Sequence, residues 1–359
     1  MDEPAGKKFI AELKDSLIPF YAYLDVTYKC NLSCPHCVVR LPKRFMRKKE
    51  MSLGQIRFLL EELAKAGTTV LNLSGGEPLF RKDFFDITKY ARELGFACEL
   101  FTNGTLITEE TADKLASLNL TRVNVCLYGA TKESFGRITK RPYLFTKTIK
   151  GIELLAARRI NTSIRSLLLR DNTIEDITGI KKIAEKLRVE HGTPTAQILP
   201  NRLTSSLFPL RQEPTLAQLE AFSRLYPEFF KFKLKTPDET LKCGRSKDSI
   251  YIDAYGGIGT CYGVRTNKTI KDGASLLEIW RKEKTFNALR KLKWGDLSRC
   301  KNCGNRSFCF VCPGISLMLC NNLKGPPPKI ICRLAKNLRY ITQKNSRLLS
   351  QDNPEKNLC

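Results

Sequence analysis

Cys30-Asn31-Leu32-Ser33-Cys34-Pro35-His36-Cys37 puts three cysteines in a C-x3-C-x2-C spacing, directly behind a run, Tyr21–Thr27, that reads as a strand. Cysteine thiolates hold iron–sulfur clusters, and a four-iron cubane takes four of them. Three close cysteines with no fourth beside them predict a cluster with one iron left open, and an open position on a bound metal is where chemistry takes place. The spacing differs from the C-x2-C-x2-C run of bacterial ferredoxins. By itself the triplet suits zinc or chance equally well.

Working outward, a strand–helix rhythm continues to about residue 200. Ser52 is an N-cap for an amphipathic helix over Leu53–Ala66 that ends at Gly67. Val70–Ser74 reads as a strand and Phe84–Leu94 as a helix closed by Gly95. Phe96–Thr102, Arg122–Leu127, Thr162–Leu169 and Ala196–Leu199 supply further strands, with helices around 108–117, 146–158 and 173–187 between them. Such alternation implies right-handed βαβ units and a parallel sheet, whose ligand site lies beyond the C-terminal strand ends. The cysteine loop, Ser74-Gly75-Gly76-Glu77-Pro78 and Thr102-Asn103-Gly104 all fall at such ends. Two glycines let the backbone approach a ligand and take positive φ. Glu77 can accept a charge-assisted bond from an ammonium group, and Pro78 stiffens the turn.

These motifs resemble those of the radical S-adenosylmethionine (radical SAM) enzymes, whose signature is C-x3-C-x-aromatic-C followed by a Gly-Gly-Glu-Pro run; His36 stands in the aromatic slot. The resemblance implies that Cys30, Cys34 and Cys37 hold a 4Fe–4S cluster that binds SAM, and that Gly75, Gly76, Glu77 and Pro78 receive the amino group of its methionine moiety. It also brings His36, Asn103, Cys126 and Arg137 to the cofactor. Cys126 replaces a common Ser, and Arg137 in Ser134-Phe135-Gly136-Arg137 is what remains of a longer cofactor-contacting stretch. The implied chemistry is reductive cleavage of SAM to a 5′-deoxyadenosyl radical that abstracts hydrogen from a substrate, with electrons from an external donor such as flavodoxin or ferredoxin.

Past residue 200 the rhythm stops at a Pro- and Ser-bearing connection, Asn201–Pro214, followed by a helix over Leu216–Tyr226. Short strands are expected at Ile250–Asp253 and Gly259–Tyr262, a helix at about 275–291, and a frayed polar tail over Lys344–Cys359. Cys243-x12-Gly256-x4-Cys261 leads to Cys300-x2-Cys303-x5-Cys309-x2-Cys312 and then Cys332. This resembles the seven-cysteine SPASM extension of peptide-modifying radical SAM enzymes, although its last spacing is x2 rather than the usual x3. Leu276-Leu277-Glu278-Ile279-Trp280 adds to the likeness. By resemblance Cys300, Cys303, Cys309 and Cys332 hold one auxiliary 4Fe–4S cluster, and Cys243, Cys261 and Cys312 another. A zinc ribbon is the rival, but it accounts for four cysteines and not seven. Cys320 is spare; Cys98 and Cys359 read as incidental.

The expected fold is therefore α/β: a partial (β/α)6 TIM-like radical SAM barrel followed by a small cysteine-rich SPASM domain. Its parts are a lead segment (1–20), the radical SAM core (21–214), a bridging region (215–242), the auxiliary-cluster domain (243–342) and a polar tail (343–359). Fourteen cysteines without a secretory signal, Met1–Asp15 being charged, point to metal rather than disulfides and to the cytoplasm. There is no eighteen-residue apolar run for a membrane span.

A net charge of +25 over 359 residues favours acidic partners or a solvated basic surface. Its densest run is Lys43-Arg44-Phe45-Met46-Arg47-Lys48-Lys49. The leading substrate is a peptide or protein side chain; a carboxylate-rich metabolite such as a porphyrin intermediate is the alternative. A zinc or iron–sulfur nucleic-acid-binding protein is the non-enzymatic rival, disfavoured by Gly-Gly-Glu-Pro at a strand end.

Overall fold

The computed structural model describes residues 15–40, 48–196, 199–201, 204, 206–231, 237–239, 243–270 and 275–351. Six strands follow one another in parallel: β1 (Tyr21–Thr27), β2 (Val70–Gly75), β3 (Ala97–Thr102), β4 (Arg122–Cys126), β5 (Thr162–Arg165) and β6 (Glu190–His191). Between them run α1 (Leu53–Lys65), α2 (Phe84–Glu93), α3 (Glu109–Ser117), α4 (Lys132–Thr139), α5 (Phe145–Ala157) and α6 (Ile174–Leu187). The sequence dictates much of this locally. Ser52 and Gln55 form a reciprocal capping box at the start of α1, whose buried Ile56, Leu59, Leu60 and Leu63 recur at helical spacing. By the strand register Leu24, Leu71, Leu73, Leu100, Val123 and Val125 share one face of the sheet, all fully buried in one core with Leu59 and Leu60 of α1. Each such side chain contributes about 1.5–3 kcal/mol.

The chain then forms α7 (Leu216–Leu225) and α8 (Pro227–Lys231) and returns to the sheet. Strand β7 (Ser249–Ile252) lies parallel beside β1, and β8 (Gly257–Cys261) and β9 (Val264–Thr269) continue it antiparallel. The result is one nine-stranded sheet ordered β6-β5-β4-β3-β2-β1-β7-β8-β9. The cysteine-rich part therefore begins as an extension of the core sheet. It is completed by α9 (Leu276–Lys282), α10 (Lys284–Lys291), α11 (Pro313–Cys320) and α12 (Lys329–Gln351).

Several elements depart from expectation. The fifth strand ends at Arg165 instead of Leu169; beyond it Leu167 makes only an isolated bridge to Thr195. The sixth is Glu190–His191, not Ala196–Leu199, of which 197 and 198 lie outside the described residues. Pro194 cannot donate to a ladder, which limits the strand to the residues before Gly192. The helix expected at 275–291 divides at Glu283, whose backbone is extended and whose carboxylate caps α10. Helix α4 was not anticipated; Thr131 and Ser134 form its capping box. The tail is helical as far as Gln351, and Lys344 and Asn345 fasten it to Glu220 and Ser223 of α7. No helix among the described residues is long and apolar enough to cross a membrane.

Candidate active site at the C-terminal strand ends

The loop after β1 is clamped by the turn after β2. Gly76 and Glu77 donate their backbone N–H groups to the carbonyls of Thr27 and Lys29, at 2.7 and 2.8 Å. The glycines are required by this close approach. Gly75 has φ +133°, and a Cβ there would stand 2.2 Å from the Thr27 oxygen; one on Gly76 would stand 2.4 Å from the Lys29 oxygen. What the two glycines admit is the backbone of the cysteine loop, and both also line the cavity beyond it.

Glu77 faces inward. Its fully buried carboxylate accepts the Thr102 hydroxyl and the Leu79 N–H on Oε1, at 2.7 and 3.1 Å, and the Asn103 N–H on Oε2 at 2.7 Å. Burial pushes this carboxyl up to about 7 against the pull of those donors. Glu77 and the buried Pro78 are not among the cavity-lining residues, and the Glu77 carboxylate brackets β2 to β3.

Asn103 carries the bracket on to the cysteines. Its amide donates to Asn31 Oδ1 at 2.9 Å and approaches Cys30 Sγ at 3.8 Å, while its own oxygen accepts from the N–H and hydroxyl of Thr105. Asn31 returns a bond to the Thr105 hydroxyl at 2.8 Å. The far end of the loop is tied by Ser33, whose N–H meets the Thr139 carbonyl at 2.9 Å.

Cys30, Cys34 and Cys37 all line one cavity of about 300 Å³, together with Gly75, Gly76 and Asn103. Burial, reinforced by the neighbouring thiols, raises Cys34 well above the usual thiol range, so a metal must displace protons to bind. Among the described residues no three Cys, His, Asp or Glu side chains converge on a point as they would around one ion. A cubane does not ask for that, because each thiolate takes a separate iron. Three thiols spread around a roomy, glycine-floored cavity suit a cluster.

His36 also lines the cavity; it is 7% exposed, its Nδ1 has no hydrogen-bond partner, and burial lowers it to about 4. Its ring meets that of Tyr128 edge-on, with centroids 4.5 Å apart. Cys126 and Tyr128 share this wall. Arg137 does not: its guanidinium bonds the Asp171 carbonyl and Asp176, joining α4 to α6.

Residues 24–184 match the family profile described as Radical SAM superfamily. The match makes residues 24–184 a radical SAM domain. It is 26% identical over 320 residues to an AdoMet-dependent heme synthase from Methanosarcina barkeri, covering 80% of this chain and 89% of that one. It is equally 26% identical over 316 residues to a PqqA peptide cyclase from Bradyrhizobium diazoefficiens, covering 82% and 80%. Among solved structures, Streptococcus suis SuiB bound to precursor peptide SuiA superposes with a TM-score of 0.69 at 18% identity, covering 90% of this chain and 79% of that one. This last likeness concerns the fold.

Two sets of the later cysteines are neighbours in this chain. The Cys261 thiol is pushed up to about 11, by burial first and then by its neighbours Cys312 and Cys243. Cys332 feels Cys303 in the same way. Gly263 and Gly314 press backbone to backbone, each leaving about 3 Å for the other's Cβ, which draws the Cys261 and Cys312 loops together. Cys98 is a buried residue of β3, Cys320 is exposed at the end of α11, and Cys359 lies outside the described residues. So do residues 43–47 of the basic run; Lys48 stands over the Tyr255 ring at 5.9 Å.

Sequence reasoning missed three contributors. Asp25, Tyr128 and Tyr262 line the cavity, and Asp25, 1% exposed, accepts the Tyr251 hydroxyl at 2.8 Å. The signal was available for Asp25, a carboxylate in an otherwise apolar parallel strand.

Proposed function

We propose that this radical SAM enzyme abstracts a hydrogen atom from a peptide or protein side chain. The observation that carries the reading is the shared cavity of Cys30, Cys34, Cys37, Gly75, Gly76 and Asn103 at the C-terminal ends of the parallel strands. Cys30, Cys34 and Cys37 would hold the 4Fe–4S cluster, and SAM, a co-substrate consumed in the reaction, would lie along Gly75, Gly76, Asn103, Cys126 and His36. With both bound, an electron from an external donor cleaves SAM to methionine and a 5′-deoxyadenosyl radical. Glu77 acts from behind as a positioning residue, holding β2 and β3 at the spacing that presents the glycines and Asn103.

The SPASM pattern and the nearness of Cys261 to Cys243 and Cys312 support a second cluster site, and that of Cys303 to Cys332 a third. The cavity favours a peptide side chain over a carboxylate-rich metabolite. Its described lining holds the carboxylate of Asp25 and no Lys or Arg to meet acids. Likeness to the heme synthase keeps the metabolite as the second reading.

The test measures 5′-deoxyadenosine formed from SAM under anaerobic reduction, with and without a peptide fraction of a cell extract. Stimulation that protease pretreatment of the fraction removes supports the peptide reading. Stimulation that survives protease assigns a small metabolite, and no 5′-deoxyadenosine at all refutes the radical reaction.

A further inference from the structure

Beyond the end of β4, side chains alternate across the sheet with period two. Leu127 turns inward, fully buried, with its N–H on the Arg165 carbonyl at 2.9 Å. Cys126 and Tyr128 therefore face the other way together, and both line the cavity of Cys30, Cys34 and Cys37. Their side chains are neighbours, each within interaction range of the other. The Tyr128 ring is fixed edge-on against His36 and packs beside Ile138, Leu169 and Leu210.

Thiol S–H and phenolic O–H bonds are weaker than the C–H bonds of an alkyl group. A primary carbon radical therefore takes hydrogen from either with a release of energy. Two such groups, side by side on the wall of a cavity where that radical forms, are not inert packing.

The geometry points to Cys126 and Tyr128 as a hydrogen-atom donor pair that supplies solvent-exchangeable hydrogen to carbon radicals in the cavity. The inference rests on the radical SAM reading above and adds a role that reading does not require. Cys126 gives up its S–H hydrogen atom, and a C–H bond forms on the radical carbon. The sulfur, now one electron short, takes the O–H hydrogen of its neighbour Tyr128. The tyrosyl radical is closed by one electron from the external reductant and one proton from water, which restores the pair.

The experiment uses the reconstituted enzyme with SAM and dithionite in D2O and no peptide. Isotopic content is read by mass spectrometry per 5′-deoxyadenosine formed. The wild type gives singly deuterated 5′-deoxyadenosine. Cys126→Ser, which keeps a polar group whose O–H bond is too strong to donate, and Cys126→Ala both lose most of that label. Tyr128→Phe keeps the label, and the tyrosyl signal seen by freeze-quench electron paramagnetic resonance in the wild type disappears. Label that persists unchanged in both Cys126 variants, or unlabelled product from the wild type, overturns the inference and leaves the proposed function standing. Absence of 5′-deoxyadenosine in every protein overturns both.

Discussion

Replacing Glu77 by Gln isolates what the inward-facing carboxylate does. Burial raises its carboxyl from 4.5 to about 7, so between those values the folded chain holds a proton that the unfolded chain has released. The contribution is complete below pH 4.5 and is lost as pH rises through about 7. At about 1.4 kcal/mol per pH interval of one, the loss is about 3 kcal/mol. Glu77→Gln cannot titrate, so this slope vanishes. The variant has its own cost, because a side-chain NH2 must face one of three donors now satisfied by the carboxylate, the nearest being Thr102 Oγ1 and Asn103 N at 2.7 Å. Leaving such a buried donor unmatched costs about 1–3 kcal/mol at every pH. The stability difference between wild type and Glu77→Gln therefore shrinks by about 3 kcal/mol between pH 4.5 and pH 7.5. Urea unfolding of both anaerobic proteins across that range measures it, and contributions common to both cancel in the difference. Two parallel pH profiles would refute the account of Glu77 as a buried, proton-holding bracket.

Other outcomes follow from the same geometry. Gly76→Ala forces a Cβ to within 2.4 Å of the Lys29 carbonyl, so the cysteine loop must move; the iron bound at Cys30, Cys34 and Cys37 should fall while circular dichroism stays close to wild type. Asn103→Ala strips the Asn31 amide acceptor and the Thr105 donors of their shared partner, costing about 1–3 kcal/mol in thermal unfolding and weakening SAM binding by calorimetry. Cys261→Ala and Cys303→Ala should each lower total iron without abolishing 5′-deoxyadenosine formation, whereas Cys320→Ala, at an exposed helix end, should leave the iron count unchanged.

The parts of the site that could be read from the sequence were those carried by contiguous residues at strand ends. The cysteine triplet, Gly75-Gly76 and Asn103 were each visible as a motif, and parallel topology requires such ends to meet on one edge of the sheet. The direction of Glu77 was not visible, because its partners Thr102 and Asn103 belong to another strand and only the folded register brings them within bonding distance. Cys126 was expected at the cofactor by resemblance, but Tyr128 was hidden by period two: a single apolar run does not say which alternate residues face the cavity. The pairing of β7 (Ser249–Ile252) with β1 (Tyr21–Thr27) joins segments far apart in sequence, and no local signal specifies it. The shortness of β6 was legible in Pro194, but the apolar residues after it outweighed that proline.

The central claim is that the three cysteines behind β1 hold an iron–sulfur cluster. Anaerobic iron, sulfide and zinc content per chain, for the native protein and for the Cys30→Ala, Cys34→Ala, Cys37→Ala triple variant, tests it most directly. The account predicts about twelve irons in the native protein and a loss of about four in the variant. Zinc without iron, or iron that the variant retains in full, would contradict it.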